Sequence, residues 1–248
     1  MLLEGDAVVL AGATGRVGGA TLATLVAEGA RVLVLSRTRD RAEETIAQAL
    51  ALEKRERAHP FAADLTQVDA AQAALAAARD RFGRIDAVVS LAGGGYKFVP
   101  LVESTAAELQ ASFDGNVRSN YNLMLPALRA MLAQAPREGA RSRGRLVAVS
   151  AGSSWDPQPR FAIMGIAKAG LNTLMLGIAR EHKSDGIVAN AIRLGGVATE
   201  AARSYMSPED FAAAVQPQEV ADVLAFLASD RASGINGALV DVNAREVD

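Results

Sequence analysis

Seven short apolar runs punctuate this chain, and six longer stretches of helical period lie between them. The runs are AVVLAG (7–12), RVLVLS (31–36), HPFAAD (59–64), DAVVSLAG (86–93), RLVAVS (145–150), VANAIR (188–193) and ALVDVN (238–243). They close on small or polar residues, which suits strands buried on both faces. Helical spacing recurs over Val17–Glu28, Ala42–Leu52, Gln67–Phe82, Thr105–Leu132, Phe161–Lys183 and Pro217–Ala228. Strict alternation of strand and helix dictates a doubly wound parallel α/β sheet of about seven strands, with helices on both faces in three layers.

At 248 residues, without a Pro- or Ser-rich linker or a repeat of fixed period, the chain reads as one domain over 1–248. A formal charge of −2 and the lack of a basic stripe argue against a nucleic-acid partner. Zero cysteines and only two histidines, His59 and His182, exclude disulfides and thiol nucleophiles and most zinc geometries, so no metal site is expected. No window reads as the ~18 to 20 apolar residues a membrane span needs, and Met1–Asp6 lacks the pattern of a signal peptide. The expectation is a cytoplasmic protein with no membrane partner. QAPREGARSRG (134–144), with its arginines and one glutamate, reads as a solvated loop.

The segment VVLAGATGRVGG leads from the first strand through Gly12, Gly15 and Gly18 into a helix. Glycines there permit a sharp turn and let backbone N–H groups reach a pyrophosphate, while the helix start presents partial positive charge. This is the dinucleotide end of a Rossmann-type sheet. The second strand closes on Ser36 and Arg37, where a site for the unphosphorylated cofactor normally carries a carboxylate for the ribose hydroxyls. A guanidinium suits a 2′-phosphate instead, and Arg16 inside the turn is near enough in sequence to add a second cation. NADP(H) is the expected cofactor.

With these residues in place, the chain resembles a short-chain dehydrogenase/reductase from the first strand almost to its end. Ala63-Asp64-Leu65 resembles the family's adenine contact, and Ser90-Leu91-Ala92-Gly93-Gly94 stands where the family has Asn-Asn-Ala-Gly. NAIRLGGVAT (190–199) resembles the stretch that meets the carboxamide and phosphates, with Leu194 in place of proline; the family's final Gly-Gly is Asn243-Ala244. The resemblance implies cofactor contacts from Gly12, Thr14, Gly15, Arg16, Val17, Gly18, Ser36, Arg37, Asp64, Leu65, Leu91, Ala92, Gly93, Lys168, Val197 and Thr199. It implies a homodimer or homotetramer through helices 105–132 and 161–183.

The family's reacting set is Asn, Ser, Tyr and Lys, the last two as Tyr-x-x-x-Lys. Asn116 and Lys168 match, but Met164 stands at the Tyr position and Ala151, just after Ser150, at the Ser position. FAIMGIAKAGL also resembles, locally, the Tyr-x-x-Met-x-x-x-Lys pattern of enoyl-acyl-carrier-protein reductases, whose tyrosine falls on Phe161. In the usual chemistry a phenol of ordinary pKa ~10, lowered by the lysine ammonium, protonates the carbonyl oxygen as hydride arrives. Methionine and phenylalanine have no proton to give, and losing a positioned acid costs ~10² to 10⁴ in rate.

Three repairs are open. A conjugated acceptor needs chiefly an enolate stabiliser, which Lys168, Ser150, Ser153 or a held water can provide. Tyr96, just past the fourth strand, is a second candidate donor, ahead of Tyr121 and Tyr205. The third is that no hydride moves. Lysine retention fits all three, because in the family the ammonium also clamps the nicotinamide ribose. Asn116 reads equally as a locally satisfied buried amide. Trp155 and Phe161 are candidate apolar walls for a small-molecule substrate.

The sequence thus points to an NADP(H)-dependent reductase of a carbonyl or a conjugated enone or enoyl group, with Lys168, Asn116, Ser150 and Tyr96 as candidate catalytic residues. The rival readings are a cofactor-binding protein without redox turnover, either a regulatory subunit or a cyclase or dehydratase, and an interaction module with no nucleotide.

Overall fold

The computed structural model describes residues 1–204 and 206–243. Its seven strands form one sheet, β1 (Ala7–Ala11), β2 (Arg31–Ser36), β3 (Ala58–Ala62), β4 (Ala87–Ser90), β5 (Gly144–Ala151), β6 (Ile187–Leu194) and β7 (Leu239–Val242), in the order β3-β2-β1-β4-β5-β6-β7 with every pairing parallel. Alternate residues of each inner strand serve opposite faces. Val9 and Leu33 pack with α3 (Val68–Phe82), α5 (Ser119–Ala133) and α6 (Ala162–Glu181), whereas Val8, Leu10 and Val32 pack with α1 (Arg16–Ala27), α2 (Arg39–Ala49) and α8 (Pro217–Ala228). Burial on both sides is why these strands carry apolar runs and not alternation.

Helix ends follow local chemistry. The Thr38 hydroxyl accepts from Arg41 N and starts α2 three residues ahead of the expected Ala42, since its first turn is polar and solvent-facing. Thr105 and Glu108 form a capping box at the start of α4 (Ala106–Phe113). The expected single helix over Thr105–Leu132 is interrupted: a wide turn over Asp114–Arg118 with i→i+5 bonding separates α4 from α5. A short α7 (Pro208–Ala213), not anticipated, lies ahead of α8.

Two further expectations are corrected. Segment 134–144 is not merely solvated: Arg137 pairs with Asp6, Arg143 donates to the carbonyls of Leu132, Gln134 and Asp185, and Ser142 is buried. By length and composition α6 is apolar enough to cross a membrane, contrary to the sequence reading. Half of that window is buried inside the fold, where it covers β5 and β6 and carries the buried Lys168 and Asn172, so its apolarity serves the core.

From β1 the chain winds outward through β2 and β3, then crosses back to place β4 on the other side of β1. Strand order reverses between β1 and β4, and a crevice opens beyond their carboxyl ends.

Candidate functional site

The crevice begins at Gly12. Its φ of +76° needs glycine, and a Cβ there would lie 2.6 Å from the carbonyl carbon of Leu91 at the end of β4. A side chain at Gly12 would collide with the backbone of Leu91 and Ala92, so bare backbone lines this part of the crevice floor. A cavity of about 500 Å³ runs from this floor toward the ends of β2 and β3, lined by Thr14, Ser36, Arg37, Arg41, Asp64, Leu65 and the 91–95 loop among others. Asp64 is fixed by accepting from the backbone N–H and the hydroxyl of Thr66. No carboxylate stands at the end of β2, and two guanidinium groups do.

At the other end, the groups around Gly93 converge. A Cβ on Gly93 would lie 2.8 Å from Asn116 Oδ1 and 3.1 Å from Lys168 Nζ, which places the amide and the ammonium against one bare stretch of backbone. Asn116 sits in the wide turn, fully buried, and its Nδ2 donates to the carbonyls of Gly94 and Ser112, both at 2.8 Å. Its Oδ1 has no donor among the described residues. Wide turns of this kind occur often at functional sites because they re-aim a side chain without ending the helix. Asn120, one turn on, repeats the arrangement, donating to Ala92 O and Asn116 O with Oδ1 left unmatched.

Lys168 projects from the first third of α6 and donates to Val149 O at 2.7 Å. Burial pushes its ammonium down to about 8. Ser150 is also buried, but its hydroxyl donates weakly, at 3.4 Å, to the carbonyl of Lys168, toward the helix. Ser153 Oγ, in the turn after β5, is buried with no partner among the described residues.

Beyond Lys168 a second cleft of about 750 Å³ opens, sharing Leu91 and Gly93 with the first, so the two form one crevice. Met164, Phe161, Tyr96, Phe98 and Trp155 line it. The loop carrying Tyr96 is tied to α4 by the ion pair of Lys97 with Glu108 at 3.0 Å, which holds the Glu108 carboxyl below its usual range. At the far wall Arg193 and Asp241 form a two-pronged ion pair.

The structure brings most of the sequence-derived positions together. Gly12, Thr14, Ser36, Arg37, Asp64, Leu65, Leu91, Ala92 and Gly93 line the first cavity, and Lys168, Ser150, Tyr96, Val197 and Thr199 the second. Gly15 and Arg16 line an adjoining hollow that shares Thr14 with the first cavity, with Gln216 and Gln218. Gly18 is buried beneath the turn against Ala13, and Val17 lines neither cavity. Arg41 lines the first cavity beside Arg37, and the expected Arg16 lines the adjoining hollow. Sequence reasoning missed Arg41, which stands in the first turn of α2, while Arg37 lies just ahead of the helix cap Thr38. It also missed Asn120, signalled by its spacing of four from Asn116. Tyr121 is half exposed on α5 and does not line the cleft, and Tyr205 lies outside the described residues, as does Ala244.

Comparison with known proteins bears on this crevice. The family model of the short chain dehydrogenases matches residues 6–210. The chain is 28% identical over 252 residues to 2,3-dihydroxy-2,3-dihydro-p-cumate dehydrogenase of Pseudomonas putida, covering 97% of this chain and 94% of that one. It is 27% identical to a 3-oxoacyl-acyl-carrier-protein reductase of Salmonella typhimurium, over 98% of each. Among solved structures, levodione reductase superposes with a TM-score of 0.86 at 25% identity, over 97% of each chain.

Proposed function

Because this chain belongs to the short chain dehydrogenase family of oxidoreductases, we propose that it is an NADP(H)-dependent reductase of a carbonyl or a conjugated enone or enoyl group, with altered groups at the reacting end. The observation that carries the reading is the single crevice joining Arg37 and Arg41 at one end to Lys168 at the other. Its chemistry fits a phosphorylated dinucleotide: bare backbone at Gly12 and Gly93, a buried acceptor on Asn116 unmatched among the described residues, and two cations, Arg37 and Arg41, in a cavity whose one lining carboxylate, Asp64, is engaged by Thr66.

In this reading Gly12, Thr14 and the start of α1 hold the pyrophosphate, and Arg37 and Arg41 the 2′-phosphate. Asp64 and Leu65 meet the adenine, and Lys168, Val197 and Thr199 the nicotinamide half. When bound, the reduced cofactor supplies hydride. Met164 and Phe161 give no proton, so the oxyanion formed on the substrate is met by the Lys168 ammonium and the Ser153 hydroxyl, with Tyr96 as the other hydroxyl in the cleft. The rival reading, cofactor binding without turnover, draws on the methionine that lines the cleft four residues before Lys168.

Titration of the protein with NADPH and NADH tests the proposal. We expect tighter binding of NADPH, and an Arg37→Ala, Arg41→Ala variant that loses roughly 10- to 100-fold in NADPH affinity, as charge-assisted bonds of about 1.5 to 3 kcal/mol require, with NADH affinity unchanged. No binding at millimolar NADPH sinks it. Binding without loss of nicotinamide absorbance across ketones, quinones and enoyl thioesters selects the rival. Light scattering tests the homodimer or homotetramer expected through α4, α5 and α6, where Tyr121 and Ile166 are exposed apolar surface.

A further inference from the structure

The chain has one Trp, three Tyr and seven Phe, and four of these rings line the cleft beyond Lys168. They form a wall. Phe161 and Phe98 lie with ring centroids 4.5 Å apart, and Phe98 and Tyr96 at 5.6 Å. Trp155 stands at the rim, 82% exposed, an unusual place for the chain's sole tryptophan. The rings are tilted to one another, Phe98 and Phe161 by 38° and Tyr96 and Phe98 by 54°, so they offer separate faces and edges, and offset or edge-to-face packing on such rings rewards a planar ring over a flexible chain.

The reacting end makes a matching demand. Hydride addition to a simple ketone leaves an alkoxide that needs a proton as it forms; Met164 beside Lys168 cannot give one, which leaves the Tyr96 phenol elsewhere in the cleft. Addition to a conjugated ring leaves a delocalised oxyanion, a phenolate or enolate on the order of pKa 10. A buried ammonium can hold and protonate such an oxygen. Burial strengthens that interaction, because no water competes for the charge.

From the ring wall, the missing phenol and the buried ammonium together, we infer that this cleft takes a planar ring bearing a conjugated carbonyl, of the class of quinones and cyclic enones, stacked against Phe98 and Phe161 with its oxygen toward Lys168 Nζ. Only the chemical step of this inference rests on the reductase reading above. In that step the ring gains hydride from the dihydronicotinamide, a π bond of the conjugated system breaks, and its electron pair ends on oxygen. Lys168 gives that oxygen an N–H proton and takes one back from water; the ring is reduced by two electrons and the nicotinamide oxidised.

Trp155 supplies a readout independent of activity. The whole protein, without dinucleotide, is titrated with menadione and with a linear enoyl thioester, S-crotonyl-N-acetylcysteamine, against a free-tryptophan control for non-specific quenching. Saturable quenching by menadione, with weaker binding of the thioester, is the expected result. Phe98→Leu and Phe161→Leu, which keep apolar bulk and remove a ring, should each weaken menadione binding roughly two- to tenfold. Linear quenching matching the control, equal or tighter binding of the thioester, or unchanged affinity in both Leu variants overturns the inference. The wild-type comparison decides even if a variant unfolds. NADPH titration, read by its own emission, is separate: a protein that binds menadione but not NADPH fails the reductase reading alone, and one that binds NADPH but not menadione fails this inference alone.

Discussion

At the amino edge of the sheet, Asp6, Asp86, Arg145 and Asp230 are bound to one another's neighbours; at the carboxyl edge, Asn116, Asn120 and Ser153 each keep a buried polar atom with no partner among the described residues. Arg145, entering β5, reaches Asp6 at 2.7 Å and Asp230 at 3.7 Å, while Asp86 accepts from Ala7 N at 2.9 Å and from Arg84 Nε at 2.7 Å. Burial pushes the Asp6 carboxyl up, against the pull of Arg145 and Arg137. Two guanidinium nitrogens there, on Arg84 and Arg145, also lack partners among the described residues, but each of these guanidinium groups is held by other bonds. The same sheet thus spends its charges on cohesion at one edge and holds polar atoms in reserve at the other. A fold can tolerate unmet groups where a ligand will meet them, and must match them where none will.

The largest test of this contrast is at the amino edge. Arg145→Met removes the buried cation of Asp6, leaving it the half-exposed Arg137, and should cost about 3 to 5 kcal/mol in urea unfolding, while dinucleotide affinity holds within a factor of a few in the fraction that stays folded. A cost under about 1 kcal/mol would mean that these ions do not hold the edge.

Lys168→Met should act in the opposite direction. An ordinary lysine titrates near 10.4, and this one near 8, so between those values the unfolded chain binds a proton that the folded chain has released. Wild-type stability therefore climbs as pH rises through that window, by about 3 kcal/mol, and the whole cost is carried below pH 8. At pH 7 the Met variant should be more stable by about 2 kcal/mol, once the lost bond to Val149 O is allowed for, and the advantage should vanish by pH 10 to 11. Paired urea melts at the two pH values check it, and a variant less stable at both breaks the comparison. Dinucleotide affinity should fall in the same variant, the usual exchange of stability for function.

The smallest effect is expected at Thr105, whose hydroxyl accepts from Glu108 N and whose α4 anchors the loop carrying Tyr96 through Lys97 and Glu108. Thr105→Ala should cost about 1 kcal/mol in thermal melts. It should raise hydrogen exchange in 94–100 without touching the amino edge; equal protection in both proteins would uncouple cap and loop.

Much of the fold is legible in the sequence. All seven strands fall on the expected apolar runs within a few residues, because burial on both faces leaves a signal that local composition alone carries. The break between α4 and α5 was not readable: FDGNVRSN keeps helical spacing, and the wide turn exists because Asn116 and Asn120 reach the carbonyls of Gly94 and Ala92 far away in sequence. Arg137 and Arg143 looked like solvated charges for the same reason, since Asp6 and the Asp185 carbonyl they bind lie far away in sequence.

The sequence by itself determined the layered sheet, the glycine turn at its reversal point, and the absence of a phenol at 161 and 164, since each is a matter of residue type at fixed spacing. Tertiary structure alone decided that Arg41 lines one cavity with Arg37, that Ser150 turns toward α6 while Ser153 Oγ has no partner among the described residues, and that four scattered rings share one cleft. Periodicity and turn chemistry act over a few residues and are written in the chain. Which distant groups meet depends on how the layers pack.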